Sequence, residues 1–84
     1  MDELLTKEDL SNYLPKLQHL QKVCLGREGY MSIYIDGLSL TFEIFDKNNT
    51  LMLSFVLEVN YTTKAGAEKN YQSLLSLLQK EGWL

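Results

Sequence analysis

The sequence predicts an α+β fold with the element order α-β-β-β-α. Three observations predict it: apolar residues recur every three or four positions near both ends, they alternate with other residues from position 30 to 61, and turn-forming residues divide that middle part into three runs. A chain of 84 residues supports one small core, so we expect a single domain over residues 1–84. The sheet should be a three-stranded antiparallel meander, with the N- and C-terminal helices packed on its one strongly apolar face.

The first helix should begin at Thr6, whose hydroxyl can cap it and which is followed by acids at the positive end of the helix dipole. Apolar residues then form one stripe at helical spacing: Leu10, Tyr13, Leu14, Leu17, Leu20 and Cys24. Pro15 lacks an amide hydrogen and crowds the preceding turn. We therefore expect a kink or a break near residues 12–14 and a second helical piece over 15–25, ended by Gly26.

The alternating middle part predicts three strands and two turns. Asp36-Gly37 is a tight-turn signal, and the polar run 46–50 supplies the second turn. A symmetric loop over 46–50 would place position 43 opposite position 53. The residues expected on the core face are Met31, Ile33, Ile35, Leu38, Leu40, Phe42, Ile44, Leu51, Leu53, Phe55, Leu57, Val59 and Tyr61.

The last helix should be capped by Thr62 or Thr63. Its inner stripe is predicted to be Ala67, Tyr71, Leu74, Leu75 and Leu78. Gly82 suits the left-handed position after a helix, and Trp83 beyond it can fold back on Leu78.

The residues that could carry catalysis do not converge in sequence. His19 and Cys24 lie five positions apart on one helix, which separates them by about 140° around its axis. Glu43 and Glu58 fall at different heights on neighbouring strands, and no metal-ligand spacing or glycine-rich phosphate loop is present. The sequence therefore predicts a protein that is not an enzyme and that uses no metal or cofactor.

Charge and composition suggest where the chain works. The formal net charge of −3 opposes a nucleic-acid ligand, which would need a local basic patch. A single cysteine cannot form an internal disulfide, and we find neither a signal peptide nor an apolar stretch of the ~20 residues that a membrane span needs. We expect a cytoplasmic protein with a buried thiol and no membrane contact.

The outward side of the sheet is the predicted binding surface, because apolar residues occur there among polar ones. Exposed aromatic and branched residues are also ordinary on a solvated strand, so this interpretation competes with simple cross-strand packing. The residues predicted to bind a partner are Tyr30, Tyr34, Glu43, Phe45, Met52, Val56 and Glu58.

The leading hypothesis is a small acidic protein-binding module whose partner is another protein. Phage and mobile-element inhibitors that occupy a surface of a host protein are often of this size and charge. A homodimer that buries the same face, or a non-catalytic subunit of a larger complex, would also fit.

A nucleic-acid-binding domain is the other class of function considered. The cations available to it are Lys16, Lys22, Arg27, Lys64 and Lys69. The element order resembles that of double-stranded-RNA-binding domains, and "TTKAGAEKNYQSLLSLL" is similar to their alanine-containing final helix in length and position. The family's adjacent lysines at that helix start are not reproduced, since Ala65 and Gly66 follow Lys64, and no functional residue is transferred. The five cations, spread over two elements, would give weak and strongly salt-dependent binding.

Overall fold

A computed structural model of the protein describes residues 3–27 and 29–84. The elements are α1 (Lys7–Val23), β1 (Tyr30–Asp36), β2 (Ser39–Phe45), β3 (Leu51–Glu58) and α2 (Lys64–Lys80). The strands form one antiparallel sheet in the order β1-β2-β3. The predicted α-β-β-β-α order and the meander are confirmed.

One hydrophobic core lies between the sheet and the two helices. Side chains from α1, from all three strands and from α2 form a single cluster, so both helices cover the same face of the sheet as predicted. Its buried members are Leu5, Leu17, Leu20, Cys24, Met31, Leu40, Phe42, Ile44, Phe55, Leu57, Ala67, Leu74 and Leu78. Neither α1 nor α2 packs on the opposite face of the sheet.

Helix α1 begins with a capping box. The Thr6 hydroxyl accepts the Asp9 amide at 3.2 Å, and the Asp9 carboxylate accepts the Thr6 amide at 2.9 Å. The backbone hydrogen bond from Thr6 is the main reason that the pKa of Asp9 lies below its ordinary value.

Pro15 does not divide α1, which is continuous from Lys7 to Val23, so the expected break is wrong. The proline is exposed, while Leu14 before it and Leu17 after it both pack on the core. Burial on both sides of Pro15 outweighs the one backbone hydrogen bond that it cannot make. The helix ends two residues before the expected end at Leu25.

The turn between β1 and β2 lies one residue later than predicted. Asp36 pairs with Ser39, so the two loop residues are Gly37 and Leu38. Gly37 has a φ of 62° and Leu38 does not have a positive φ, which is the pattern of a type II′ hairpin turn. Leu38 is therefore a turn residue with 42% of its surface exposed, rather than a residue of the core face.

A β-bulge sets the register between β2 and β3. The loop 46–50 is symmetric at its base, where Phe45 pairs with Leu51, but the register then shifts and Glu43 pairs with Ser54 instead of position 53. The core-facing residues of β2 have even numbers and those of β3, from Leu53 onward, have odd numbers. A symmetric five-residue loop pairs even positions with even ones, so it would place core-facing residues of β2 opposite outward-facing residues of β3. The extra residue, Met52, removes this conflict for the residues from Leu53 onward, which face the core. Leu51 precedes the bulge, pairs with the outward-facing Phe45 and is 49% exposed, so its predicted place on the core face is wrong.

The N-terminal segment before α1 belongs to the fold, which the sequence did not predict. The Leu5 amide donates to the Thr62 carbonyl at 2.8 Å, and the Leu5 carbonyl accepts the Asn60 amide at 3.0 Å. Leu5 is buried in the core. Because β3 ends at Glu58 and Asn60 turns the chain with a φ of 70°, Tyr61 is exposed rather than on the core face as expected.

Both ends of α2 are capped as predicted. Thr63 caps the helix, with its hydroxyl accepting the Gly66 amide at 2.9 Å. Gly82 has a φ of 76°, and the Trp83 amide then donates to the Leu78 carbonyl at 2.8 Å. The Trp83 ring packs against the core.

Candidate protein-binding surface

The face of the sheet that carries no helix is the candidate site, and we call it the outer face. None of the helices in the described part of the chain packs on it. Its side chains come from alternate positions of each strand. They are Tyr30, Ser32, Tyr34, Asp36, Ser39, Thr41, Glu43, Phe45, Leu51, Ser54, Val56 and Glu58.

One row of the outer face is apolar and exposed. Tyr34 pairs with Thr41, which pairs in turn with Val56 on β3. Tyr34 is 63% exposed and Val56 is 44% exposed. Two apolar groups thus flank a small hydroxyl, and burying them against a partner would contribute favourable free energy.

A second aromatic group lies at the other end of the hairpin. The rings of Tyr30 and Phe45 stack with their centroids 4.9 Å apart and their planes at 19°. The Tyr30 hydroxyl donates to the Asn49 side chain at 2.7 Å. Because these contacts hold the Tyr30 ring in place, a partner that binds there would lose little additional side-chain entropy.

Acidic side chains occupy the remaining rows. Glu43 lies between Ser32 and Ser54, while Asp36 and Glu58 lie on either side of Ser39. The three strands contain these acids and no Lys, Arg or His. The outer face therefore combines apolar groups with charged groups that are all negative. Such a face would attract a positively charged surface.

The outer face differs from the predicted binding set at Met52 and Asp36. Met52 occupies the bulge, where it is half-buried and packs against the core cluster, so the structure does not bring it together with the other six. Asp36, which the sequence analysis assigns to the turn, lies on the outer face instead. Gly37 was the signal that could have found it, since a type II′ turn has glycine at its first loop position and so leaves Asp36 in the strand.

The helices carry most of the cations, and some of these are engaged locally. Lys64 lies 3.0 Å from the Glu3 carboxylate and 3.7 Å from that of Asp9. A hydrogen bond to Glu3 is the largest cause that raises the pKa of Lys64. Lys16 lies 5.4 Å from the centre of the Tyr13 ring and 5.6 Å from that of Tyr71. These contacts reduce the positive charge that the helices could offer to phosphate groups.

Tyr13 joins the two helices through a charged hydrogen bond. Its hydroxyl donates to the Glu68 carboxylate at 2.6 Å, and Gln72 donates to the other oxygen at 3.0 Å. The pKa of Glu68 lies below its ordinary value, first because of Tyr13 and then because of Gln72. The pKa of Tyr13 is raised, chiefly by its burial and then by Glu68.

Replacing Tyr13 with phenylalanine should lower the free energy of unfolding by roughly 0.5–1 kcal/mol at neutral pH, since an exposed charged hydrogen bond is lost. A carboxylate whose pKa is lowered by folding adds stability above its unfolded-state pKa, and that stability is lost as the pH falls through its folded-state pKa. The difference between wild type and variant should therefore shrink below the ordinary glutamate value of 4.5. Urea denaturation across this pH range measures it.

Tyr71→Phe is the matched control for this prediction. The Tyr71 ring contacts Tyr13 edge to face at 5.9 Å, but its hydroxyl makes no hydrogen bond within residues 3–27 and 29–84. Its removal should leave the stability nearly unchanged at every pH. A Tyr13→Phe effect that persists undiminished in acid would show that the bond to Glu68 is not its cause.

The reactive side chains of His19 on α1 and of Cys24, the residue that caps its C-terminal end, do not form a site. His19 is exposed, whereas Cys24 is buried and its burial raises the pKa of the thiol. Among residues 3–27 and 29–84, no group of three or more His, Cys, Asp or Glu side chains could hold a metal ion. Within the same residues, no helix is both long enough and apolar enough to cross a membrane.

Comparison with known proteins adds no family or activity. No protein-family model, curated protein or solved structure matches this chain.

Proposed function

We propose that this chain is a small protein-binding module whose outer face docks on a partner protein. The observation that supports this most is the composition of that face, where exposed apolar groups alternate with rows of acidic groups and no base is present. The apolar residues supply the burial on which affinity depends, and the acids supply orientation and selectivity. The partner surface should therefore be apolar at its centre, with Lys or Arg around it.

Charge disfavours a second copy of this chain as the occupant of the outer face. Two outer faces packed against each other would bring Asp36, Glu43 and Glu58 of one copy close to the same acids of the other. Like charges at an interface cost free energy, and no base on these strands offsets them. A basic partner gains from the same three acids.

The size of the outer face limits the affinity that it can give alone. Strands of seven or eight residues, at a rise of ~3.4 Å and a spacing of ~4.8 Å, cover a footprint of roughly 340 Å². A standard interface buries about 800 Å² on each partner. The outer face should therefore bind reversibly, or act together with neighbouring parts of the molecule.

More specifically, we propose that the chain inhibits its partner protein by covering a surface that the partner needs. A basic surface on an enzyme that handles nucleic acid is selected to attract phosphate groups. An acidic face that also buries apolar groups can occupy such a surface and exclude the natural ligand. A phage or mobile-element protein that blocks a host protein would work in this way, without any catalytic group of its own.

The test compares two double variants in affinity capture from a lysate of the organism that encodes the chain. Tyr34→Ser/Val56→Ser removes the apolar row of the outer face. Leu25→Ser/Tyr61→Ser removes residues that are 83% and 77% exposed elsewhere on the molecule. The wild type and the second variant should recover the same basic protein, and the first variant should lose it at unchanged thermal stability.

The recovered protein is then purified and its affinity measured against salt. We expect binding to weaken as salt rises and to be reduced further by Glu43→Lys, because the acids attract the partner. Equal recovery by both double variants, or no enrichment over the first variant, would contradict the proposal. Retardation of RNA at low salt that Lys16→Ala/Lys22→Ala abolishes would support nucleic-acid binding instead.

A further inference from the structure

The open edges of the sheet are a second feature that could bind a partner. In an antiparallel pair closed by a two-residue turn, alternate residues direct their N–H and C=O groups away from the neighbouring strand. Asp36 and Ser39 close the β1–β2 turn, so the residues of β1 that direct these groups to the open edge are Met31, Ile33 and Ile35. On β3 the corresponding residues are Ser54, Val56 and Glu58.

Side chains close part of each edge, and they confirm this assignment. On β3 the Thr62 hydroxyl accepts the Glu58 amide at 2.9 Å and donates to the Val56 carbonyl at 3.5 Å. On β1 the Gln21 side chain donates to the Met31 carbonyl at 2.8 Å. The backbone groups of Ile33 and Ile35 on this edge have no hydrogen-bond partner within residues 3–27 and 29–84.

An apolar groove of about 330 Å³ adjoins this unpaired part of β1. It lies between α1 and the β1–β2 turn, and its apolar lining consists of Leu10, Leu14, Ile35, Leu38 and Leu40. Ile35 is 49% exposed although it faces the helix side of the sheet, because α1 does not cover it there. A side chain from a strand added beside β1 would point into this groove on the helix side.

The other side of an added strand would meet a different environment. Its alternate side chains would lie beside Tyr34 and Asp36 on the outer face, where the strands carry acids and no base. Lys7 lines the groove on the helix side and would repel a basic residue there. Basic residues of the added strand are therefore favoured only at the positions that face the outer side. The groove selects apolar residues and the acids select basic ones, at alternate positions.

We propose that β1 binds an extended segment of a partner by strand addition at Ile33 and Ile35. The segment alternates apolar side chains, which enter the groove, with basic side chains, which lie over the outer face. Backbone hydrogen bonds to the two isoleucines fix its register. This proposal does not depend on docking of the outer face, because it uses neither Phe45 nor Val56.

A blocked seven-residue peptide that alternates lysine and valine is the first probe. In the free protein the amides of Ile33 and Ile35 should exchange with solvent much faster than that of Tyr34, which pairs within the sheet. Millimolar peptide should protect both isoleucine amides and shift their NMR signals. A glutamate–valine peptide should bind at least about tenfold more weakly because of the acids on this side.

Two controls separate strand addition from other binding. A lysine–valine peptide methylated on the backbone nitrogens that face β1 keeps its charge and side chains but loses its donors, and it should not protect the amides. Leu38→Lys places a charge at the exposed rim of the groove and should abolish binding, whereas Val56→Ser, which tests the outer face, should leave it unchanged. Absence of protection at millimolar peptide, or equal binding of the methylated peptide, would overturn the proposal.

Discussion

Replacing Gly29 with alanine should destabilise the fold by about 3 kcal/mol, although the change adds a single methyl group. A Cβ atom at this position would collide with the carbonyl oxygen of Phe45 and with the ring of Trp83. The carbonyl belongs to the β2 backbone, which cannot rotate away as a flexible side chain could. The strand, the chain before β1 and the C-terminal cap would therefore have to separate.

The measurement is urea denaturation followed by circular dichroism, with Gly26→Ala as the matched control. Gly26 has open space where a Cβ would lie, but its φ is 91°, so alanine there pays only the backbone strain of about 1–2 kcal/mol. Gly29→Ala should cost less stability in a Trp83→Leu background than in the wild type, since one of the two collisions is then absent. Equal losses for Gly29→Ala and Gly26→Ala would show that close packing at Gly29 is not important.

The element order was predictable because each helix and strand has a pattern within its own residues that indicates it. Thr6 and Thr63 cap the helices that begin at the next residue. The apolar stripe that predicts α2 lies within α2 itself. The alternation of the strands determines which side chains share a face, so most of the outer face could be predicted as well.

The sequence predictions were wrong where two local patterns disagree. They were incomplete where the structure depends on contacts between residues far apart in the chain. Pro15 favours a helix break, but the burial of Leu17 and Leu20 beyond it keeps α1 whole. The conflict between a symmetric 46–50 loop and the two alternations was visible in the sequence, and it requires a bulge such as the one at Met52. No local pattern shows that Gln21 would close the β1 edge or that Thr62 would close the β3 edge, because both contacts depend on the tertiary fold.

The outer face and the β1 edge meet at Tyr34 and Asp36, and this affects how the molecule could reach useful affinity. A footprint of roughly 340 Å² is small for a stable complex. A partner that adds a strand to β1 would extend the same acidic surface sideways and would bury Ile35 and Leu38 as well. The two surfaces could therefore serve one partner, although each is tested separately by Val56→Ser and Leu38→Lys.

Leu5→Ala should lower the free energy of unfolding by about 3 kcal/mol, which is unusual for a residue outside every helix and strand. Leu5 is 1% exposed and belongs to the core cluster. Its amide and carbonyl also hold the segment to Thr62 and Asn60, so the side chain has little freedom to move into the space that a substitution leaves. Trp83 fluorescence during urea denaturation can report the loss, because this single tryptophan packs against the same core.

Leu4→Ala is the matched control, since Leu4 is the neighbouring residue, has the same side chain and is 43% exposed. It should cost less than about 1 kcal/mol, because an exposed leucine buries little apolar area. If both substitutions had the same small effect, the N-terminal segment would not be part of the cooperative fold, and Leu5 would only rest on it. A large effect of Leu5→Ala alone would show that the core depends on a residue before the first helix, where neither a helical nor an alternating pattern is present to predict it.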